Sequence, residues 1–288
     1  MTMVHIETHP RLTAEAELAV LALAERAEVA DRVFPLNEQA VIGLSDSGCH
    51  RLAWQGGQLV GYATVCDEAA QLVVDPAHRR QGLGRHLIAW DQLGPGQELW
   101  AFGDLPCGQG FCAAHGFWPV RSLLVMEAAP VLPTHPASPP QGVRIGSYAE
   151  DDLDELVELN ARAFHDHPEQ GRWVRADFIA RMALPWFDPA GLIIARTAES
   201  MVGFHWTKAE HGDGEVYVIG VDPTWSGRGL GRALLDSGVS HLVGRGVGSI
   251  RLWVDGDNQS ATSLYEKSGF SVLRRDVRYR RQSDAHQD

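Results

Sequence analysis

The stretch Leu72-Val-Val-Asp-Pro-Ala-His-Arg-Arg-Gln-Gly-Leu-Gly-Arg85 returns 147 residues later as Ile219-Gly-Val-Asp-Pro-Thr-Trp-Ser-Gly-Arg-Gly-Leu-Gly-Arg232, Asp75 being answered by Asp222 and Gly84 by Gly231. A Gly-Phe pair follows each copy, with Phe270 standing 153 residues after Phe117. Such self-similarity means that one supersecondary unit occurs twice, so the chain is expected to fold as two homologous domains. Its 288 residues suffice for two domains of ordinary size. Between the copies runs AAPVLPTHPASPPQG, holding five of the fifteen prolines, which can be neither helix interior nor central strand and reads as a semi-rigid linker. The expected division is a first domain at 1–127, a linker at 128–142 and a second domain at 143–288.

Each half shows the same order of elements. A helix-period stretch comes first, Ala14 to Ala30 and Asp151 to Phe164. A hairpin follows: Arg51 to Trp54 turns at Gly56-Gly57 into Leu59 to Val65, and Leu192 to Arg196 pairs with Met201 to Lys208. An apolar strand then ends at Asp75-Pro76 or Asp222-Pro223, and a glycine-rich turn opens a helix. Another strand (Leu99 to Phe102; Ser249 to Val254), a short helix and a closing strand complete the half. The expected fold class is α/β (α+β), with a mixed, mostly antiparallel sheet flanked by helices in each domain.

The charge balance, 25 Lys+Arg against 37 Asp+Glu for a net −12, argues against a nucleic-acid or anionic-membrane partner. Any polyanionic ligand must be held locally. The four cysteines, Cys49, Cys66, Cys107 and Cys112, show no metal-ligand spacing and no disulfide framework, so no metal is expected. The most apolar N-terminal run, Leu18 to Ala24, lies between Glu17 and Glu25 and is too short to span a bilayer. A cytoplasmic monomer is expected.

A strand running into Arg79-Arg80-Gln81-Gly82-Leu83-Gly84, or into Ser226-Gly227-Arg228-Gly229-Leu230-Gly231, aims backbone N–H groups at a point beyond the strand. Glycine lets an anion approach, and the helix that follows adds a positive N-terminal dipole, which together make a pyrophosphate site. A Walker loop would need Gly-Lys-Ser/Thr, and a dinucleotide fingerprint would need glycine at Leu87 and Leu234, so neither applies.

These residues resemble the GCN5-related N-acetyltransferases, whose signature is [QR]-x-x-G-x-[GA] followed some 30 residues on by N-x-x-A-x-x-L-Y-x-x-x-G-F. Asn258-Gln259-Ser260-Ala261-Thr262-Ser263-Leu264-Tyr265 with Gly269-Phe270 reproduces the second motif; Ser226 departs from the first by lacking one side-chain phosphate contact. In the first half the loop is intact, but the tyrosine position is Cys112. The resemblance implies two tandem acetyltransferase folds with acetyl-CoA as cosubstrate. It would be held by Leu72, Val73, Val74 and Arg80 to Arg85 in the first domain, and by Ile219, Gly220, Val221, Ser226 to Arg232 and Asn258 to Ser263 in the second.

Within that family the chain is most similar to tandem members that acetylate the cysteinyl amine of desacetylmycothiol, the last step in making mycothiol. The similarity rests on His167-Pro-Glu-Gln-Gly171, Trp186-Phe-Asp-Pro189, Gly203-Phe-His-Trp-Thr-Lys208 and Gly214-Glu-Val-Tyr-Val-Ile-Gly-Val-Asp-Pro223. It implies an acceptor site of Glu38, Glu169, Lys208 and Glu215, with Trp253 as an aromatic wall.

Acetyl transfer needs a neutral amine and a proton for the departing thiolate. Glu215, at the start of the strand that ends in the phosphate loop, is assigned as general base, and Tyr265 as general acid. Glu68 stands seven residues before Asp75, as Glu215 does before Asp222, so a carboxylate is expected there in the first domain. With cysteine at the acid position, that domain is expected to be catalytically silent. Two other readings stay open from the sequence: a tandem acetyltransferase of another amine, such as an aminoglycoside or a protein N-terminus, and an acyl-CoA-binding protein without catalysis.

Overall fold

The computed structural model describes residues 3–66, 69–89, 96–167 and 170–282. In chain order its elements are β1 (His5–His9), α1 (Ala14–Asp31), α2 (Glu38–Ile42), β2 (His50–Gln55), β3 (Gln58–Cys66), β4 (Ala69–Val74), α3 (Leu83–Ile88), β5 (Glu98–Ala101), α4 (Pro106–Ala114), β6 (Phe117–Ala128), β7 (Arg144–Ser147), α5 (Leu153–Ala163), α6 (Arg175–Met182), β8 (Leu192–Arg196), β9 (Met201–Glu210), β10 (Asp213–Val221), α7 (Leu230–Gly244), β11 (Ile250–Asp255), α8 (Gln259–Lys267) and β12 (Ser271–Arg281). The described residues cluster into two compact units, the first within Met1–Leu124, Asp255–Asp257 and Arg274–Asp288, the second within Val125–Val254 and Asn258–Leu273. Among the described residues no helix is long and apolar enough to cross a membrane.

In the first unit the strands run β1-β2-β3-β4-β5-β12. All neighbours are antiparallel except β4 and β5, which are parallel over Ala69↔Glu98 and Ala70↔Leu99. Thr13 caps α1 by accepting from the Ala16 N–H, and the helix buries Val20, Leu23, Ala24 and Ala27 against Leu52, Tyr62 and Val73 of the sheet.

The second unit repeats the plan as β7-β8-β9-β10-β11, again with one parallel pair, Gly214↔Ile250 and Glu215↔Arg251. Alternation along its strands sorts the core onto two faces. Leu192, Ile194, Phe204 and Trp206 meet α5 and α6 through Leu156, Leu159 and Phe178. Ile193, Ala195 and Val202 meet Leu230 and Leu234 of α7. His205, fully buried on β9, bonds the Leu234 carbonyl through Nδ1 at 2.9 Å, and a Cβ on Gly238 would collide with its ring. Burial brings its pKa down to about 4, so the imidazole is neutral. The proline-rich segment enters no helix or strand between Ala128 and Arg144, and the Ala137 N–H donates to Asp236 of α7 at 2.9 Å.

The last strand does not follow the sequence-based division. From Arg274 onward β12 belongs to the first unit, where Val277↔Ala101, Tyr279↔Leu99 and Arg280↔Glu98 pair it with β5, while the residues of β6 from Val125 onward belong to the second. One ion pair occurs in both units with its charges reversed. In the first, Arg280 Nε bonds Glu98 at 2.8 Å, and Arg278 joins the same carboxylate; in the second, Arg251 Nε bonds Glu127 at 2.7 Å. Glu98 and Arg251 are 153 residues apart, as are Glu127 and Arg280. Were each closing strand kept by the half that encodes it, Arg280 would stand against Arg251 and Glu127 against Glu98, and like charges facing across strands are destabilising.

Candidate active site

In both units the Asp-Pro dipeptide sets the entrance to the glycine-rich loop. Asp222 accepts from the Thr224 N–H at 3.0 Å, from the Thr224 hydroxyl at 2.7 Å and from Arg162 Nε of α5 at 3.0 Å. Asp75 accepts from Ala77 N–H at 3.0 Å and from Arg26 Nε of α1 at 2.8 Å. Burial alone would raise both carboxyl pKa values, but these donors outweigh it and hold them below the ordinary range. The duplicated aspartates are therefore caps tying the loop to the first helix of each unit.

The N-cap of the helix that follows is Gly229 (φ 84°) in the second unit and Gly82 (φ 82°) in the first, a left-handed conformation that glycine adopts without strain. Both starts leave the first N–H groups of the helix without an intrahelical acceptor. Arg228 stacks over Trp225 at 5.0 Å, while Arg232 bonds Asp236 at 2.8 Å and the Lys267 carbonyl at 3.2 Å, tethering α7 to α8. Gly220 is demanded by packing, since a Cβ there would come within 2.6 Å of the Phe204 ring. In the first unit Arg79, at the first motif position, is held by Asp31 at 2.7 and 2.6 Å, so the departure at Ser226 has a counterpart whose side chain is already engaged.

Asn258 caps α8, accepting from the Ala261 N–H at 3.0 Å. Gly269 (φ 89°) ends that helix in the left-handed region, and the Phe270 N–H returns to the Tyr265 carbonyl at 3.0 Å. The Phe270 ring meets the Tyr265 ring edge-on at 5.9 Å. The Gly-Phe pair is thus a helix stop that packs onto the tyrosine. Tyr265 is only 5% exposed, and burial raises its phenol pKa above the ordinary value, so the proton stays on at neutral pH.

Glu215 and Lys208 are ladder partners on β10 and β9. The Lys208 ammonium lies 3.2 Å from Glu210 and 5.0 Å from the centre of the Trp186 ring. Trp253 lies on β11 two residues beyond Arg251, the parallel partner of Glu215, and is 41% exposed. Glu38 opens α2 in the first unit. Glu169 lies outside the described residues, but the residues after it are held: Nδ2 of the fully buried Asn160 donates to the Gln170 backbone carbonyl at 2.8 Å, Gln170 Nε2 donates to Asn160 Oδ1 at 2.8 Å, and a Cβ on Gly171 would collide with the Phe164 carbonyl. Sequence reasoning missed that amide pair, although the buried-face spacing of α5 carried the signal.

The ladder shifts between Val216 and Val218 in β10, where Thr207 and Trp206 are the consecutive partners, so Tyr217 is an extra residue. In β4 no shift occurs. As a result Ala69, which pairs with Cys66 and Glu98, takes the place that Glu215 holds between Lys208 and Arg251. Glu68 itself lies outside the described residues, and the count of seven that pointed to it overlooks the bulge.

The first unit contains a cavity of about 640 Å³, well within the size of a ligand site. Eight of its nine sequence-assigned residues, Leu72, Val73, Val74, Arg80, Gly82, Leu83, Gly84 and Arg85, line it; Gln81 instead donates to the Ala77 carbonyl at 3.3 Å. Cys112 lines the same cavity, its thiol pKa pushed up to about 12 by burial and, to a lesser extent, by Asp104.

Residues 153–270 match the acetyltransferase (GNAT) family and residues 46–119 an acetyltransferase (GNAT) domain. A mycothiol acetyltransferase of Propionibacterium freudenreichii subsp. shermanii is 44% identical over 96% of this chain and 93% of its own. One from Thermobispora bispora is 44% identical over 91% and 95%. Among solved structures, a GCN5-related N-acetyltransferase from Sphaerobacter thermophilus (TM-score 0.72, 23% identity, 97% of each chain) has the same fold. So does a tandem GNAT protein from the clavulanic acid biosynthesis pathway (TM-score 0.72, 17% identity, 96% of this chain and 98% of that one).

Proposed function

Because the chain belongs to the mycothiol acetyltransferases, tandem members of the acetyltransferase (GNAT) family, we propose that its second unit carries the reaction and that its first unit binds acyl donor without turning it over. The chain is an acetyl-CoA-dependent N-acetyltransferase. Its acceptor is the cysteinyl amine of desacetylmycothiol, and its product is mycothiol. The observation that carries the division of labour is the pair of matched positions: Glu215 and Tyr265 in the second unit stand where the first has Ala69 and Cys112.

Acetyl-CoA supplies the acyl group as a thioester. The glycine turn and the α7 N-terminus suit its pyrophosphate, since no side chain crosses Gly227 and Gly229 and the helix dipole favours an anion. Glu215 takes the ammonium proton of the acceptor. An α-amine of pKa near 8 is about one-tenth neutral at pH 7, so the base must offset only about 1.4 kcal/mol and can act through water. Tyr265 keeps its proton on Oη for the departing sulfur. Lys208 and Trp253 offer a donor and an aromatic face to a hydroxyl-rich acceptor, and Glu38 and Glu169 are assigned to that acceptor by family correspondence.

Acetyl transfer assayed with desacetylmycothiol beside cysteine amide, glucosamine, an aminoglycoside and a peptide N-terminus tests the reading. Turnover of desacetylmycothiol with a kcat/KM at least 100-fold above the others is expected. Failure with it and success with another amine would overturn the assignment.

A further inference from the structure

The comparison of β10 with β4 isolates one residue that the second unit has and the first lacks. Tyr217 is the extra residue of the bulge, two positions beyond Glu215, and a bulge next to a site turns a side chain that a regular strand would aim elsewhere. Its ring packs against Trp186 (4.9 Å), Trp206 (5.6 Å) and Trp173 (6.3 Å). A phenylalanine would fill that space equally well.

The hydroxyl is another matter. Arg181 of α6, 7% exposed, donates from Nε to the Tyr217 oxygen at 3.0 Å and from Nη1 to the Asp177 carbonyl at 3.2 Å, while its guanidinium stacks 3.8 Å above the Trp173 ring. A guanidinium is costly to bury and has no acceptor function, so this contact makes the phenol oxygen the acceptor and directs the phenol hydrogen away from Arg181. The Lys208 ammonium, on the ladder partner of Glu215, is 6.0 Å from the Tyr217 ring centre. The Tyr217 ring therefore borders the Lys208 ammonium, whose ladder partner is Glu215.

We propose that Tyr217, oriented by Arg181, is a positioning residue that holds the polyhydroxylated part of the acceptor so that its amine meets Glu215. The inference rests on the function proposed above and adds the residue pair that sets acceptor selectivity. Tyr217→Phe in the full chain is expected to raise the KM for desacetylmycothiol about 10-fold. The KM for acetyl-CoA should stay within 2-fold and kcat within 3-fold. Turnover of cysteine amide, which has the amine without the sugars, is expected to be unaffected, so the selectivity ratio falls about 10-fold. Arg181→Met is expected to give the same ratio, with the double variant no worse than either, and thermal melting of each variant confirms that it is folded. An unchanged ratio in Tyr217→Phe, or effects of the two variants on the ratio that multiply, would overturn the inference. Absence of desacetylmycothiol turnover in the wild type would instead overturn the function on which it rests.

Discussion

Replacing Tyr265 by phenylalanine removes one oxygen and leaves the ring that packs edge-on against Phe270 at 5.9 Å, so the change isolates the proton that the phenol carries. The side chain is 5% exposed, and burial raises its pKa above 10. Less than about one part in 10³ is therefore ionised at pH 7. A thiol has a pKa near 8.5, so handing a phenol proton to a free thiolate is uphill by at least 1.5 units, about 2 kcal/mol. On the mechanism proposed, the proton therefore moves as the carbon–sulfur bond breaks, when the sulfur is forming charge. General acid catalysis of this kind is worth roughly 10²–10⁴, or about 3–5 kcal/mol of barrier. Tyr265→Phe is expected to lower kcat by at least 100-fold at saturating substrates, measured as thiol release between pH 7 and 9. Its melting temperature and its KM for acetyl-CoA should stay close to wild type. The wild-type kcat should show no falling limb from this group below pH 10, because raising a phenol pKa extends the protonated form upward. A kcat within 3-fold of wild type would remove Tyr265 from the mechanism.

Two further perturbations test the packing that holds the site. His205 has its pKa depressed from 6.5 to about 4, so its contribution is complete above pH 6.5 and is lost as pH falls toward 4. About 3 kcal/mol of the stability of the second unit should disappear across that window, and His205→Gln should flatten the pH dependence of urea unfolding; equal slopes in the two proteins would refute the assignment. Glu98→Ala leaves Arg278, 7% exposed, without its buried carboxylate and should cost about 3–5 kcal/mol, whereas Glu127→Ala breaks a half-exposed pair and should cost under about 1 kcal/mol; equal shifts in melting would contradict this reasoning.

Much of this was legible from residues. The 147-residue repeat announces two units, the Gly56-Gly57 turn and the alternation around it give the β2–β3 hairpin, and the glycine turns give the starts of α3 and α7. Legibility ends where a ladder decides position. Counting seven residues back from each aspartate aligns Glu68 with Glu215, but Tyr217 occupies an extra place in β10, and Ala69 is the register equivalent. No local propensity marks that slip. The allotment of β12 was likewise hidden, because strand pairing is non-local, although the reversed charges at Glu98, Glu127, Arg251 and Arg280 record it at the Gly-Phe spacing of 153. The Asp-Pro repeats, visible as signposts, prove to be caps paired with Arg26 and Arg162.

On the function proposed, one of two glycine loops that share three of their six residues serves catalysis, and equal lesions in both test it. Gly229 and Gly82 are the N-caps of α7 and α3, with φ of 84° and 82°. Aspartate tolerates that conformation and caps helices, yet brings a charge to where pyrophosphate would lie. Two like charges 4 Å apart repel by about 4 kcal/mol at an effective dielectric of 20. Gly229→Asp should therefore lower kcat/KM for acetyl-CoA by at least 100-fold with desacetylmycothiol as acceptor, while Gly82→Asp should leave it within 3-fold. Equal losses in the two variants, or a loss confined to Gly82→Asp, would contradict the account.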